Sequence, residues 1–207
     1  MSETAPGLYL VTPPLKEASA FLPLLAKALG AAQIASVLLR LDEPDEAAAV
    51  RLIREVAEAA QAQGAALLID SDPTLVLKSG ADGVHIGVSG EALRTAIKKL
   101  SPGHIVGAGG LSARHEAMEA GEVGADYVLF GDWDAPLEPL TLLERVAWWA
   151  EIFNTPSVAL AQNLREVGAL AAAGADFVML GDCIWADPRG PDIAVKEAQR
   201  AVLGQEA

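Results

Sequence analysis

The sequence predicts an α/β fold in which eight parallel strands alternate with helices and close into a single (β/α)8 barrel, the TIM barrel. Three observations predict it. The pattern Gly-Ala-Asp followed by a short apolar run occurs three times, beginning at Gly80, Gly124 and Gly174. These repeats lie about two strand-helix units apart, since one such unit takes roughly 20 to 30 residues. Apolar runs alternate with helical stretches without a linker, so residues 1–207 are predicted to form one domain.

Each repeat has a physical explanation. The glycine suits the left-handed position that ends a helix, and the aspartate can accept backbone hydrogen bonds at the turn. The apolar residues that follow form a buried strand of the kind found in parallel sheets. The repeat itself therefore belongs at the bottom of the barrel, where recurrence reflects stability, and the residues after each strand belong at the mouth.

The same patterns place the other elements in order. Strands are predicted at Leu8–Thr12, Ser36–Arg40, Ala65–Ile69, Gly83–Ile86, Ile105–Ala108, Tyr127–Phe130, Ser157–Leu160 and Phe177–Leu180. Helices are predicted at Lys16–Leu29, Asp45–Gln63, from Asp72 to Gly80, at Glu91–Leu100, Ser112–Val123, through Trp148 and Trp149, after Asn163, and at Asp192–Leu203. Pro44 and Asp45 suit the first turn of the second helix.

Composition restricts the class of partner. The chain has 28 acidic and 15 basic residues, a formal net charge of -13, which argues against nucleic acid and anionic membrane surfaces. A single cysteine, Cys183, cannot form an internal disulfide, and residues 1–7 lack the features of an export signal. We expect a cytoplasmic protein that binds a small molecule. We interpret Trp148 and Trp149 as core plus a contact in a homo-oligomer.

Acidic residues follow several of the predicted strands and form an acidic ring at the mouth. The set is Asp42, Asp70, Asp72, Asp132, Asp134 and Asp182, with Arg40, His85, Arg114 and Gln162 among them. One interpretation is a site for a metal ion or cationic ligand, with Asp132 or Asp70 as general base. The other is that aspartates cap the helices that follow, which is favoured for Asp72 and Asp45.

Three further features have two interpretations each. His85 is either a proton shuttle or a hydrogen-bonded core residue. Gly109 and Gly110, before a helix whose first turn contains Arg114, resemble a loop that binds an anion, although such a loop alone is weak evidence. Cys183 lies at a helix start, which favours a thiolate, but the adjacent Asp182 opposes it, so no nucleophilic role is predicted.

These stretches resemble the thiamin phosphate synthase family and the related thiazole tautomerases. Residues 8–12, Leu-Tyr-Leu-Val-Thr, are similar to the family's opening strand, and residues 80–87 to its Gly-Ala-Asp-Gly-Val-His-Leu-Gly. Residues 125–131 resemble the tautomerase strand, and residues 173–184 the last strand of the family. The resemblance covers most of the chain. It implies a (β/α)8 barrel in thiamin biosynthesis and a transferase that joins a pyrimidine diphosphate to a thiazole phosphate with the help of magnesium.

The chain departs from the family pattern at the mouth. The lysine after strand two is replaced by Asp42, whereas the arginine, Arg40, is kept. Neither metal aspartate is in register, because the two motifs read Asp70-Ser71 and Val88-Ser89-Gly90, so we assign no metal ligand and leave the cofactor open. Asp132 stands at the tautomerase histidine, where the synthases have a Thr-Lys pair; Ala161 and Gln162 replace a phosphate-binding Gly-Gly, and Asp182 a small polar residue.

The resemblance and the departures leave three functional hypotheses. The first is a thiamin phosphate synthase-like enzyme that handles a thiazole or pyrimidine intermediate. The second is a divergent acid-base enzyme that uses Asp132 with Asp70 on a related heterocycle. The third is a binding or regulatory barrel without catalysis. A carboxylate 4 Å from a phosphate costs about 1 to 4 kcal/mol, so we expect the mouth to disfavour diphosphate.

Overall fold

The computed structural model describes residues 5–43, 45–70, 72–87 and 90–205. Residues 1–4, Pro44, Ser71, Val88, Ser89 and residues 206–207 lie outside the described residues. In the described part, eight parallel strands pair in chain order, and β8 pairs with β1 to close the barrel. The strands are β1 (Gly7–Val11), β2 (Ile34–Arg40), β3 (Ala66–Asp70), β4 (Gly83–Ile86), β5 (Ile105–Ala108), β6 (Tyr127–Phe130), β7 (Ser157–Ala161) and β8 (Phe177–Leu180). The predicted fold class is confirmed.

Helices surround this barrel and cover its outer face. They are α1 (Leu22–Leu29), α2 (Glu46–Gln61), α3 (Pro73–Ser79), α4 (Glu91–Leu100), α5 (Arg114–Glu122), α6 (Pro139–Ile152), α7 (Val167–Ala172), α8 (Asp182–Trp185) and α9 (Pro191–Val202). A short 3-10 turn, Leu164–Glu166, precedes α7. Within the described ranges, no helix combines the length and the apolar character needed to cross a membrane.

The first helix is shorter than predicted. It begins at Leu22 rather than at Lys16, and Pro23 occupies its first turn, where a missing N–H costs nothing. The residues before it are held to the end of the second strand instead, because Leu15 forms a bridge with Leu41. Two predicted caps are confirmed: the Asp45 carboxylate accepts from the N–H of Ala48, and the Asp72 carboxylate from that of Thr74.

The Gly-Ala-Asp repeats fasten neighbouring strands at the bottom of the barrel. The carboxylates of Asp82, Asp126 and Asp176 each accept a backbone N–H from the preceding strand, at 2.7, 2.8 and 2.8 Å. The donors are Leu67, Val106 and Ser157. Gly80, Gly124 and Gly174 all have positive φ angles, as expected of glycines that end helices. The repeat therefore stabilises the end of the barrel that faces away from the mouth.

Two apolar clusters fill the structure. The larger lies between the outer face of the sheet and the helices and includes Phe130 and Trp149, which pack edge to face. The smaller fills the barrel interior, with Tyr9 and Tyr127 among Leu38, Leu129 and Met179. Below this interior cluster, a mostly apolar cavity of about 210 Å³ borders the two tyrosines at the bottom of the barrel. The side chains that fill the interior therefore separate this bottom cavity from the mouth.

Candidate functional site

Two neighbouring cavities lie at the carboxyl ends of the strands. The central cavity has a volume of about 220 Å³, and its lining includes Asp70, His85, Gly110, Asp132, Trp133 and Asp134. The side cavity has a volume of about 60 Å³, and its lining includes Thr12, Arg40, Trp133, Gln162, Asp182 and Cys183. Trp133 borders both. The structure thus brings the predicted catalytic residues together in one cavity and Arg40, Gln162 and Asp182 in the other.

Asp70 ends strand β3 and lies half-buried in the central cavity. Burial raises the pKa of its carboxyl group above the ordinary value; the positive charge of Arg40 opposes that rise, and the negative charge of Asp134 adds to it. Arg40 is the residue directly paired with Asp70 in the adjacent strand. A carboxyl group with a raised pKa is a better proton carrier near neutral pH than an exposed one.

Asp132 follows strand β6 and holds its own loop. Its Oδ1 accepts hydrogen bonds from the backbone N–H groups of Asp134 at 2.7 Å and Ala135 at 3.0 Å. Asp132 therefore does not cap α6, whose N-cap is Glu138; one of its carboxylate oxygens holds the loop, and the residue also lines the central cavity. The loop contacts leave its second carboxylate oxygen without a backbone partner among these bonds.

Arg40 lies beneath the loop that follows β6. Its guanidinium carbon is 4.8 Å from the centre of the Trp133 ring, and one of its nitrogens is 3.9 Å from Asp134. The Asp134 side chain is 82% exposed, so this ion pair contributes little to stability. The contact instead fixes the indole between the two cavities. Among the described residues that line them, Arg40 is the one arginine, and no lysine is present.

His85 is buried at the deep end of the central cavity, with 1% of its surface exposed. Its Nδ1 is 2.9 Å from the Tyr127 hydroxyl, which is 3.1 Å from the Tyr9 hydroxyl. No described residue lies within hydrogen-bonding distance of its Nε2. Burial lowers the pKa of the imidazole to about 4, so His85 is neutral at physiological pH. Burial also raises the pKa values of both tyrosines.

The predicted anion loop has a different arrangement from the one expected. Gly110 lines the central cavity, but a Cβ built on Gly109 would overlap His85 Nε2, so Gly109 makes space for the imidazole. The guanidinium of Arg114 lies 4.8 Å from the centre of the Trp148 ring and is absent from the lining of both cavities. Arg145 holds this loop through hydrogen bonds to the backbone carbonyls of Leu111 and Ser112.

The end of β8 closes the side cavity. Asp182 begins α8, and Gln162 donates a long hydrogen bond, 3.4 Å, to the backbone carbonyl of Asp132. Burial raises the pKa of the Cys183 thiol to about 11, which leaves the thiolate scarce at neutral pH. Trp149 is buried and Trp148 packs against Phe153 and Arg114 of its own chain. The predicted homo-oligomer contact stays a prediction.

The described carboxylates at the mouth do not form a metal site of three or more protein ligands. Magnesium requires carboxylate oxygens in near-octahedral arrangement, usually from one or two carboxylates with substrate phosphates. Within residues 5–43, 45–70, 72–87 and 90–205, no group of three or more His, Cys, Asp or Glu side chains is arranged to hold a metal ion. One oxygen of Asp132 is also engaged by backbone N–H groups.

Comparison with known proteins places this barrel in a family. A family model described as thiamine monophosphate synthase matches residues 8–184. This chain belongs to that family. Among relatives of the family, the thiamine-phosphate synthase of Rhodospirillum centenum is 40% identical over 203 residues, covering 95% of this chain and 98% of the relative. The synthase of Hyphomonas neptunium is 36% identical over 203 residues, covering 91% and 90%.

Solved structures agree with the thiamine monophosphate synthase family in fold. A thiamine phosphate pyrophosphorylase from Pyrococcus furiosus superposes with a TM-score of 0.82 at 21% identity and covers 96% of each chain. A 3-hexulose-6-phosphate synthase superposes with a TM-score of 0.77 at 20% identity, covering 94% of this chain and 99% of its own. At such identities the likeness shows the fold alone, and the choice of ligand depends on the site.

The sequence did not reveal the tyrosine pair below His85. Tyr9 belongs to the opening strand and Tyr127 to the second Gly-Ala-Asp repeat, so each looked like an ordinary buried strand residue. One signal was available: a tyrosine buried in a strand needs a partner for its hydroxyl. The partner could not be identified, because it lies 118 residues away along the chain.

Proposed function

We propose that this chain serves thiamin metabolism as a thiamin phosphate synthase-like protein that binds a thiazole or pyrimidine intermediate in the central cavity. Membership of the family supports the pathway. The observation that carries the ligand class is the cavity itself, where Trp133 lies beside Asp70, His85 and Asp132. A cavity of about 150 Å³ accommodates benzene, so about 220 Å³ has room for one substituted heterocycle.

We further propose that the groups for diphosphate and magnesium have been replaced, so that diphosphate-releasing transfer is lost. The lining of the two cavities supports this, because Asp70, Asp132, Asp134 and Asp182 contribute carboxylates and Arg40 contributes the one guanidinium. Arg40 is already engaged by Trp133 and Asp134. Each carboxylate 4 Å from a phosphate would cost about 1 to 4 kcal/mol, depending on local screening.

A second candidate function is proton transfer on a heterocycle by Asp70 with Asp132. The raised pKa of Asp70, caused by burial, supports it, as does the presence of both residues in the central cavity. In this scheme Asp70 carries the proton, and the Asp132 carboxylate stabilises positive charge that develops on the ring. A planar cationic heterocycle also suits the face of Trp133.

The decisive experiment combines an activity assay with calorimetry on the purified chain. We expect no diphosphate release above the protein-free background when magnesium, the pyrimidine diphosphate and the thiazole phosphate are supplied. We expect calorimetric binding of the pyrimidine or thiazole alcohol of thiamin. Sustained diphosphate release would refute the proposed loss of transfer. If neither alcohol binds, and neither of their phosphates binds, the proposed ligand class is refuted.

Asp132→Asn is the matched variant for the acid-base alternative. Asparagine retains an oxygen that can accept from the N–H groups of Asp134 and Ala135, so the loop keeps its conformation and the charge alone is removed. Turnover of the heterocycle should then disappear while the unfolding temperature stays unchanged. Undiminished turnover in this variant would rule out a catalytic role for Asp132.

A further inference from the structure

Three polar side chains form a hydrogen-bonded chain inside the otherwise apolar barrel. Tyr9 of β1, Tyr127 of β6 and His85 of β4 are linked hydroxyl to hydroxyl at 3.1 Å and hydroxyl to Nδ1 at 2.9 Å. All three are buried, with at most 6% of their surface exposed. The two tyrosines border the bottom cavity, and His85 lines the central cavity. This series of hydrogen bonds therefore runs from the bottom of the barrel to the floor of the central cavity.

The imidazole nitrogen at the end of this chain has no partner. Among the described residues, His85 Nε2 is the one buried side-chain nitrogen or oxygen without a hydrogen bond. An unpaired buried polar group destabilises a fold, so its presence requires an explanation. Its location supplies one, since His85 lines the cavity proposed to bind the ligand.

Counting hydrogens determines which nitrogen of His85 is protonated. If Tyr9 donates to Tyr127 and Tyr127 donates to Nδ1, both hydroxyl hydrogens are used, and the imidazole hydrogen is on Nε2. If instead Nδ1–H donates to Tyr127, either the Tyr9 or the Tyr127 hydrogen is left without an acceptor among the described residues, and Nε2 is left as an unpaired acceptor. The first arrangement leaves one group unpaired and the second leaves two, so the first has the lower free energy.

Gly107 in strand β5 and Gly109 directly after it leave room for these three hydrogen-bonded side chains. A Cβ built on Gly107 would overlap the Tyr127 ring, and a Cβ built on Gly109 would overlap the imidazole at Nε2. Both rings thus occupy space that side chains at positions 107 and 109 would otherwise fill. The two rings are stacked, with 15° between their planes. The glycines therefore leave the space in which Nε2 lies.

We propose that Tyr127, backed by Tyr9, is a positioning residue that holds neutral His85 with its hydrogen on Nε2, and that this N–H donates to a neutral acceptor atom of the ligand. The inference rests on the proposed function for the identity of the ligand. A ring nitrogen or a carbonyl oxygen of a heterocycle suits this donor. An anionic acceptor does not, because Asp70, Asp132 and Asp134 line the same cavity.

Nitrogen NMR of the whole ¹⁵N-labelled chain tests the positioning role. The sequence has three histidines, so His85→Gln identifies the His85 signals by their disappearance. We expect a protonated Nε2 and an unprotonated Nδ1 at neutral pH. Tyr127→Phe should move the Nδ1 resonance to that of a free acceptor, and Tyr9→Phe should move it less in the same direction. A protonated Nδ1 in the unmodified chain, or an unchanged Nδ1 in Tyr127→Phe, would overturn the proposal.

Addition of the pyrimidine alcohol of thiamin tests the donor role. We expect its binding to shift the Nε2–H resonance, and its Kd to rise about fivefold in Tyr127→Phe, as for loss of roughly 1 kcal/mol. If the Nε2–H resonance does not shift when the protein is saturated with the alcohol, the donor role is overturned. If calorimetry detects no binding of the pyrimidine alcohol, His85 is not a donor to that ligand. If the thiazole alcohol does not bind either, the proposed function is contradicted as well. The Nδ1 resonances decide the positioning role in either case.

Discussion

The carboxylate of Asp176 accepts a hydrogen bond from the backbone N–H of Ser157 at 2.8 Å and a second from the Ser157 hydroxyl at 3.2 Å. The contact joins the turn before β8 to the first residue of β7. Asp82 and Asp126 make the equivalent backbone contact with β3 and β5. The repeated aspartate is thus a structural residue that satisfies an otherwise unpaired N–H at the bottom of the barrel.

Removal of this acceptor should lower stability without altering the mouth. Asp176→Ala leaves the buried Ser157 N–H unpaired, and we expect a loss of about 1 to 3 kcal/mol in the free energy of unfolding. For a chain of this size, Tm falls by roughly 2 to 4 °C for each kcal/mol. Asp176→Asn retains one acceptor oxygen and should recover most of the loss. Equal melting temperatures for Asp176→Ala and the unmodified chain would contradict this role.

Gly107 should tolerate no side chain. Gly107→Ala places a methyl group where the Tyr127 ring lies, so the ring or the strand must move. Overpacking of this kind costs about 1 to 3 kcal/mol, measurable by urea unfolding. Gly87→Ala is the control, because a Cβ there would have no atom within 4 Å and its φ is not positive. Similar unfolding free energies for the two variants would show that the ring adapts freely.

The buried imidazole should make stability depend on pH in mild acid. The pKa of His85 in the folded chain is about 4, below its ordinary value of 6.5 in the unfolded chain. Between these pH values the unfolded chain therefore binds more protons than the folded chain. The contribution of neutral His85 to the free energy of unfolding is complete above pH 6.5 and is lost as the pH decreases to 4. The loss amounts to about 3 kcal/mol.

Unfolding in urea at pH 7 and pH 4.5 measures this dependence. We expect His85→Gln to show a smaller difference between the two pH values than the unmodified chain, whatever its stability at pH 7. His115→Gln should keep the full difference, since His115 lies on α5 away from the barrel interior. A His85→Gln profile parallel to that of the unmodified chain would assign the pH dependence to other groups.

Trp133 should contribute to ligand affinity rather than to stability. The indole borders both cavities and lies on a loop, where its contact with Arg40 contributes about 0.5 to 1 kcal/mol. Trp133→Leu should weaken binding of the pyrimidine alcohol about tenfold by calorimetry, as for loss of one stacking partner. Trp133→Phe should retain most of the affinity. Unchanged affinity in Trp133→Leu would place the ligand elsewhere.

Much of the fold could be predicted, because the Gly-Ala-Asp repeats and the apolar runs after them depend on local physics. The start of α1 could not, since Leu15 pairs with Leu41, a contact that local patterns do not reveal. At the mouth, position after a strand was enough to predict that Asp70 and Asp132 share a cavity. The direction of Arg114 was unpredictable, because a long side chain at a helix start can reach either the cavity or a neighbouring helix such as α6.

Gly107 in β5 and Gly109 directly after it also affect how this barrel can evolve. On the floor, Tyr127 fits only against Gly107 and His85 only against Gly109, so a substitution at one position requires an accommodating change at its neighbour. On the rim, Trp133 and Asp134 stand on a loop, where their side chains contact Arg40 but fill no space left by a glycine. New ligand preferences are therefore accessible by single substitutions at the rim, whereas a side chain added on the floor requires a second, accommodating substitution.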